Sequence, residues 1–360
     1  MNSLDLSYIA APMVNQSDLP FRILVRRYNA SLAYTQMLLP ERLLNDQEYL
    51  EFHRRGLRDA QDTPVVVQLC GNDPEIVVRA ARTVTDKADA IDLNLGCPQD
   101  AAREGNYGGY LLEKRDWPLV ESIVSALSHS HPVPISAKIR LCQNTALTPD
   151  LGTRLAAAGA SWITLHARHV SARRRRQGAA DLEQVRVLKD RVGVPVVSNG
   201  NVRTWEDVCE NRRATGADGI MVGETLLANP CLFANVTPDP VKIALEYLEI
   251  CREYPGTATM QTVQTHVRHF VDHQCGRRPW FNKFRAELGR CDSIDAIEKL
   301  LRVKVQRWRG LPPLSEEDAD ADEEAEDSDA DERSERRVSR GGGEGTTVMD
   351  DTLAGLSILS

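Results

Sequence analysis

The segment Asn94-Leu95-Gly96-Cys97-Pro98-Gln99 puts a thiol at the end of an apolar run, ahead of a loop of small residues that includes Ala101, Ala102, Gly105, Gly108 and Gly109. A thiol with a reference pKa of about 8.5 stays protonated at neutral pH unless a neighbour forces it to thiolate. No histidine or basic residue lies within five positions of Cys97. A protonated thiol in this setting suits general-acid work, giving a proton to a carbon atom, better than nucleophilic attack.

Further side chains could serve the same chemistry. Lys138 sits inside the apolar run Ile135-Ser136-Ala137-Lys138-Ile139-Arg140, where a lysine is seldom buried without a partner. Pointing inward, it would put positive charge beside an electron-rich ring, such as a reduced flavin, which is anionic at N1. His166 and Arg168 alternate on one run and therefore face one side, which suits an anion or ligand site. Asn199-Gly200-Asn201 and Gly223-Glu224 close two later runs with small residues, where backbone N–H groups and the following helix starts can approach a phosphate. One phosphate, one ring and one nearby cation are what an FMN requires.

The elements that must position these residues are short apolar runs, each followed by a stretch of helical character. Eight occur: Ser7–Met13, Leu32–Met37, Pro64–Cys70, Ala90–Cys97, Pro134–Leu141, Trp162–Arg168, Pro195–Gly200 and Gly219–Gly223. Near-continuous apolar strands alternating with helices imply a parallel sheet covered by helices, and eight such units favour a closed (β/α)8 barrel. No G-x-G-x-x-G follows the first run, which counts against a dinucleotide fold. The polar residues gather at the C-terminal ends of the runs, where this fold builds its active site.

The pattern changes near residue 239. Ile243–Tyr254, Gln261–Gln274 and Ile294–Trp308 read as amphipathic helices without intervening strands. Among them Arg268, Arg277, Arg278, Lys283, Arg285 and Arg290, interleaved with Trp280 and Phe281, predict a basic surface, as does the run Arg173–Arg176. The expected organisation is a catalytic barrel over 1–238, a helical nucleic-acid-binding domain over 239–311 and a disordered tail over 312–360. Residues 316–332 hold 12 of the 52 acidic residues, so the net charge of −8 is local to the tail and residues 1–315 carry +4. A mildly basic body permits a nucleic-acid partner. No apolar run is long enough for a membrane span, and Met1–Ser7, with neither a basic nor an apolar stretch, is not expected to act as a secretory signal. The eight cysteines form no C-x-x-C pair, so neither a metal site nor a disulfide framework is expected, and a reducing compartment, cytoplasm or nucleus, is.

Taken together, Asn94–Gln99, Ala11-Pro12-Met13, Asp18-Leu19-Pro20-Phe21-Arg22, Gln68, Lys138, His166-Ala167-Arg168, Asn199-Gly200-Asn201 and Asn229-Pro230 resemble the tRNA-dihydrouridine synthases, in register from about Ser7 to Trp308. The wording of Ala90–Gln99, Tyr107-Gly108 and Tyr34–Leu38 is most similar to the eukaryotic dihydrouridine synthase 1 group. The resemblance implies that NADPH reduces FMN, that the flavin N5 passes hydride to C6 of a flipped-out uracil, and that Cys97 protonates C5. It implies FMN contacts from Ala11, Pro12, Met13, Gln68, Lys138, His166, Asn199, Gly200, Asn201, Gly223 and Glu224. Asn94, Arg103, Arg140, Arg168, Arg268 and Arg285 would meet the tRNA, at uridines 16 and 17 of its D-loop, with the enzyme a monomer. The chain departs from the family pattern at Arg103-Glu104, where Lys then Arg is usual, and at Thr225, where Gly is usual beside Glu224. Thr225 would thereby crowd the flavin phosphate.

Overall fold

The computed structural model describes residues 4–57, 59–172 and 178–314. Arg173–Arg176 and the acidic and glycine-rich tail lie outside the described residues. Eight parallel strands close into one barrel in sequential order: β1 Tyr8–Ala10, β2 Leu32–Leu38, β3 Val65–Leu69, β4 Ala90–Leu95, β5 Ile135–Leu141, β6 Trp162–His169, β7 Val196–Asn199 and β8 Gly219–Val222. β1 pairs with β8 through Tyr8–Ile220, Ile9–Met221 and Ala10–Val222, which completes the ring. The expected eight runs are these eight strands.

Strand alternation sorts the side chains into two faces. Val65, Val67, Leu69, Ile91, Leu93, Leu95, Ile135, Ala137, Ile139, Ile163 and Leu165 point outward and are buried under the covering helices. The inward face changes character along the barrel. At its lower end Ile9, Leu32, Tyr34, Val66, Ala90, Trp162, Val197 and Met221 form a small apolar plug. Above it the inward positions turn polar, with Asp92 and Asn94 on β4, Ser136, Lys138 and Arg140 on β5, and Thr164, His166 and Arg168 on β6. Register brings them level: Asn94 lies opposite Lys138, Arg140 opposite His166, and His166 opposite Asn199.

After the barrel the chain is helical, over Pro240–Glu253, Met260–Cys275 and Phe281–Leu288. The described residues divide into two compact units, one ending at Glu298 and one beginning at Lys299. Two expectations need correction. Phe281 is not part of a basic surface: it is 8 % exposed and opens a helix whose Phe284 is fully buried, the two rings 5.8 Å apart. The Ile294–Trp308 segment is not one α-helix, because Leu300–Val305 winds as a π-helix. Its buried Leu300, Leu301, Val303 and Val305 stand too close together for one stripe of a 3.6-residue period.

The Asp18–Arg22 motif of the resemblance has a structural task. Asp18 caps the helix Leu19–Arg27 by accepting from Phe21 N–H at 3.0 Å. Its carboxylate also accepts from Tyr247 Oη at 3.1 Å and faces His266 Nε2 at 2.7 Å, both on the later helices. Four positions on, Arg22 reaches Asp62 at 2.7 Å, and Arg26 reaches the same carboxylate at 3.1 Å, with Asp62 fully buried. Removing that acid strands two guanidinium groups in the interior, a class of change that costs about 3–5 kcal/mol. Asp62→Ala is expected to lower the unfolding free energy by that amount in urea titration. A loss below about 1 kcal/mol would contradict the assignment.

Candidate active site

The Cys97 loop is built from its backbone outward. Asn94, the last inward residue of β4, turns its Oδ1 to accept from Gly96 N–H at 3.0 Å and Cys97 N–H at 2.9 Å. Gly109 N–H donates to the Cys97 carbonyl at 3.1 Å. Gly108 has φ +66°, and a Cβ there would come to 3.0 Å of the Cys97 Cβ, so the small-residue loop is what lets this turn close on the thiol. Cys97 itself is half-buried.

Residues far away in sequence converge on that thiol. Burial lifts the Cys97 pKa above its ordinary value, against the Gln99 backbone N–H and the charges of Arg140 and Lys138, which pull it down. The thiol is therefore protonated at neutral pH, with two cations close enough to receive a thiolate. Burial, followed by the charge of Arg140, pushes Lys138 down to about 8, while Asp92 and Cys97 pull it up. Burial and then Arg168 push Arg140 down to about 10. Burial, then Lys138, Arg140 and Arg168, hold His166 well below its usual value, so its imidazole is neutral. Arg140 Nη1 donates to the carbonyls of His169 at 2.9 Å and Ala172 at 3.0 Å.

The ends of β7, β8 and β1 form the opposite rim. Asn199 Nδ2 donates to Met221 O at 2.8 Å. Gly200 has φ +126°, and a Cβ there would clash with Ala180 at 2.7 Å, beside the His166 ring. Asn201 brackets Ala180 with two bonds of 2.7 Å and accepts from Arg168 Nη2 at 3.4 Å. A Cβ on Gly223 would meet Met13 Sδ at 2.9 Å. Met13 N–H in turn donates to Ser17 Oγ at 2.9 Å. Thr225 Oγ1 is turned to the Val202 carbonyl at 2.5 Å, so it ties the loops after β7 and β8 together.

These contacts test the fit of an FMN. The rim of glycines and asparagines lets backbone approach a phosphate, as such strand ends do in this fold. The Lys138 ammonium and the His166 ring make no hydrogen bond or ion pair among the described residues, and both face the mouth of the barrel. Cation and neutral donor are what an anionic phosphate and an electron-rich ring require, so the residues fit the group.

Some expected site residues lie elsewhere or are already engaged. Gln68 and Asn94 are buried and bonded to each other, Asn94 Nδ2 donating to Gln68 Oε1 at 2.8 Å; with Gln68 Nε2 also donating to Asp92, each amide keeps one N–H for a ligand. Arg103 is exposed and paired with Asp100 at 3.1 Å on the short helix Asp100–Glu104. Arg268 and Arg285 line a separate groove of about 480 Å³ on the helical segment, with Gln261, Gln264 and Asn282. Sequence reasoning passed over Asp92, which is fully buried beneath the site and accepts from Gln68 Nε2 at 2.8 Å and Ser136 Oγ at 2.6 Å. Its signal was available: it stands two residues before Asn94 and so shares the inward face. Burial raises its pKa to about 6, against the Ser136 and Gln68 bonds and the Lys138 charge. Among the described residues no group of three or more His, Cys, Asp or Glu is placed to hold a metal ion, and no helix is long and apolar enough to cross a membrane.

A closed (β/α)8 barrel with a protonated thiol and a cationic, glycine-rimmed mouth defines a class of ligand-binding barrel whose chemistry sits at the C-terminal strand ends. Comparison with known proteins agrees and goes further. The family model described as dihydrouridine synthase matches residues 9–307, and the chain belongs to that family. A rat protein named tRNA-dihydrouridine(16/17) synthase [NAD(P)(+)]-like is 34% identical over 299 residues, 83% of this chain and 67% of that one. The Saccharomyces cerevisiae tRNA-dihydrouridine(16/17) synthase [NAD(P)(+)] is 36% identical over 281 residues, 74% of this chain and 66% of its own. A human tRNA-dihydrouridine(20a/20b) synthase [NAD(P)+]-like protein is 34% identical over 267 residues, covering 72% and 80%. The chain thus spans about two thirds of the length of its (16/17) relatives. Among solved structures, histamine dehydrogenase from Rhizobium sp. 4-9 superposes with a TM-score of 0.53 at 12% identity, over 69% of this chain and 50% of that one, a likeness of fold.

The charge on Lys138 makes a testable demand. Its ammonium is present below about pH 8 and lost above it, so attraction for an anionic ligand must fall as pH rises through that value. Flavin-free protein titrated with FMN, read by quenching of flavin fluorescence, is expected to bind more weakly across that step. Lys138→Met is expected to weaken binding about tenfold at pH 7, the loss of one charge-assisted bond, and to flatten the step. An unchanged profile in the variant would contradict the assignment.

Proposed function

We propose that this chain reduces uridine to 5,6-dihydrouridine in the D-loop of tRNA, at positions 16 and 17, with FMN as its flavin and NADPH as reductant. The observation that carries the reading is the Cys97 thiol, held protonated by burial yet flanked by Arg140 and Lys138. Family membership and the names of the (16/17) relatives support the substrate and the reductant class.

When bound, the flavin supplies the hydride that C6 of the uracil takes up. Negative charge then develops on C5, and the Cys97 thiol gives its proton there. The sulfur leaves as a thiolate, which Arg140 and Lys138 stabilise, and solvent returns the proton. Ala11-Pro12-Met13, Gln68, Lys138, His166, Asn199-Gly200-Asn201 and Gly223-Glu224 would hold the flavin. Asn94, Arg140 and Arg168 face the base and its phosphate. Arg268 and Arg285 in their groove, and Arg103 on its exposed helix, neutralise phosphates at a distance from the chemistry, which makes binding salt-dependent. Extruding the base costs a few kcal/mol, less in a loop than in a duplex. The Thr225 hydroxyl, turned to the Val202 carbonyl, leaves the reaction class intact, and Glu104 bears on tRNA preference. The working unit is a monomer, and eight free thiols suit a reducing compartment such as cytoplasm or nucleus.

Cys97→Ala tests the role of the thiol. The variant is expected to keep its flavin and its oxidation of NADPH, and to lose dihydrouridine formation by about 100-fold or more, within the usual range for a general acid. Wild-type rates of dihydrouridine formation in the variant would refute the assignment.

A further inference from the structure

Beneath the candidate site a line of hydrogen bonds runs through the barrel interior, and its polarity can be worked out from one end. Trp162 Nε1 only donates, and it donates to Tyr34 Oη at 3.0 Å. Tyr34 Oη and Ser136 Oγ are 3.5 Å apart, and Ser136 Oγ donates to Asp92 Oδ1 at 2.6 Å. The Tyr34 hydroxyl therefore donates onward to Ser136. From the other side Gln68 Nε2 donates to Asp92 Oδ2 at 2.8 Å. A carboxylate accepts only, so every donor in the line points at Asp92.

That polarity continues upward to the thiol. With Nε2 committed to Asp92, Gln68 must present Oε1 to Asn94, whose Nδ2 donates to it at 2.8 Å. With Nδ2 so committed, Asn94 must present Oδ1 to the backbone N–H groups of Gly96 and Cys97, at 3.0 and 2.9 Å. Asp92, Gln68 and Asn94 are 0%, 1% and 8% exposed, so water is not there to repair a reversed amide. Reversing Asn94 would set its N–H groups against the two backbone N–H groups, and reversing Gln68 would set its N–H groups against those of Asn94 and its oxygen against the Asp92 carboxylate.

We propose that Asp92 is a positioning residue for Cys97: by accepting from Gln68 it fixes two buried side-chain amides in the one orientation that holds the Gly96–Cys97 backbone in place. The inference rests on the reading of Cys97 as the proton donor and adds the group that orders it. Gln68 acquires a second task beside its contact with the flavin, and Asn94 supports the turn as well as the base.

The test compares Asp92→Leu, which removes both acceptors, with Asp92→Asn, which keeps an oxygen toward Gln68 and can donate to Ser136 instead. Amide hydrogen exchange of the flavin-loaded protein reads the loop directly, without turnover. Asp92→Leu is expected to speed exchange at Gly96 and Cys97 about tenfold or more, the factor for a lost charge-assisted hydrogen bond, with exchange along β6 unchanged. In the same variant dihydrouridine formation by pre-reduced enzyme is expected to fall about tenfold. Added to Cys97→Ala, Asp92→Leu is expected to cost nothing further, and Asp92→Asn is expected to restore most of both readouts. Unchanged exchange at Gly96 and Cys97, a uniform rise across the barrel, or a loss additive with Cys97→Ala would each overturn the proposal. If Cys97→Ala alone turned over normally, the proton-donor reading would fall, and the exchange result would still decide whether Asp92 orders the loop.

Discussion

Three cations, Lys138, Arg140 and Arg168, gather at the mouth of one barrel, and the carboxylate of Asp92 lies in the layer beneath them. Like charges drawn together repel, and burial adds a desolvation cost to each. A fold carries such a cluster only if the rest of the structure holds it. Here β5 and β6 supply the cations from inward positions, and the pairing of the two strands keeps their backbones side by side. Burial first, and the mutual repulsion after it, push Lys138 down to about 8 and keep His166 neutral, and the Cys97 thiol stands beside two charges ready to stabilise its anion. A mouth of this kind is complementary to an anion and to a transition state that gains negative charge.

The apolar plug below and the hydrogen-bonded layer between divide the remaining work. Ile9, Leu32, Val66 and Met221 close the lower end, which keeps the interior free of bulk water. Asp92, Gln68, Ser136 and Asn94 then form a middle layer in which every bond has a fixed direction. Rigid support of this sort is how a site holds a reacting group to a fraction of an ångström. The glycines and asparagines of β7 and β8 are braced in the same manner, with Asn201 gripping Ala180 on both its backbone groups.

Much of this was legible in the sequence, for reasons specific to the fold. A parallel barrel writes its strands as apolar runs and its active site as the polar residues that end them, so β1–β8, Cys97, Lys138, His166 and Asn199–Asn201 all stood out. Asp92 did not, because one acid inside Ala90–Cys97 looks like noise until the two-residue period places it under Asn94. The proximity of Arg140 and Lys138 to Cys97 was equally hidden, since it comes from the pairing of β4 with β5 and not from chain neighbours. Phe281 was misread because an aromatic beside basic residues suggests a stacking surface, whereas the helix Phe281–Leu288 turns it into the core. The π-turn over Leu300–Val305 left only crowded apolar spacing as its trace.

The central claim is that the cationic mouth and its thiol serve reduction of a uracil in RNA. The most direct measurement is to incubate the protein with FMN, NADPH and an unmodified tRNA transcript, then map dihydrouridine along the product. The account predicts dihydrouridine at uridines 16 and 17 of the D-loop. NADPH oxidation by a flavin-loaded protein with no dihydrouridine anywhere in the tRNA would contradict it.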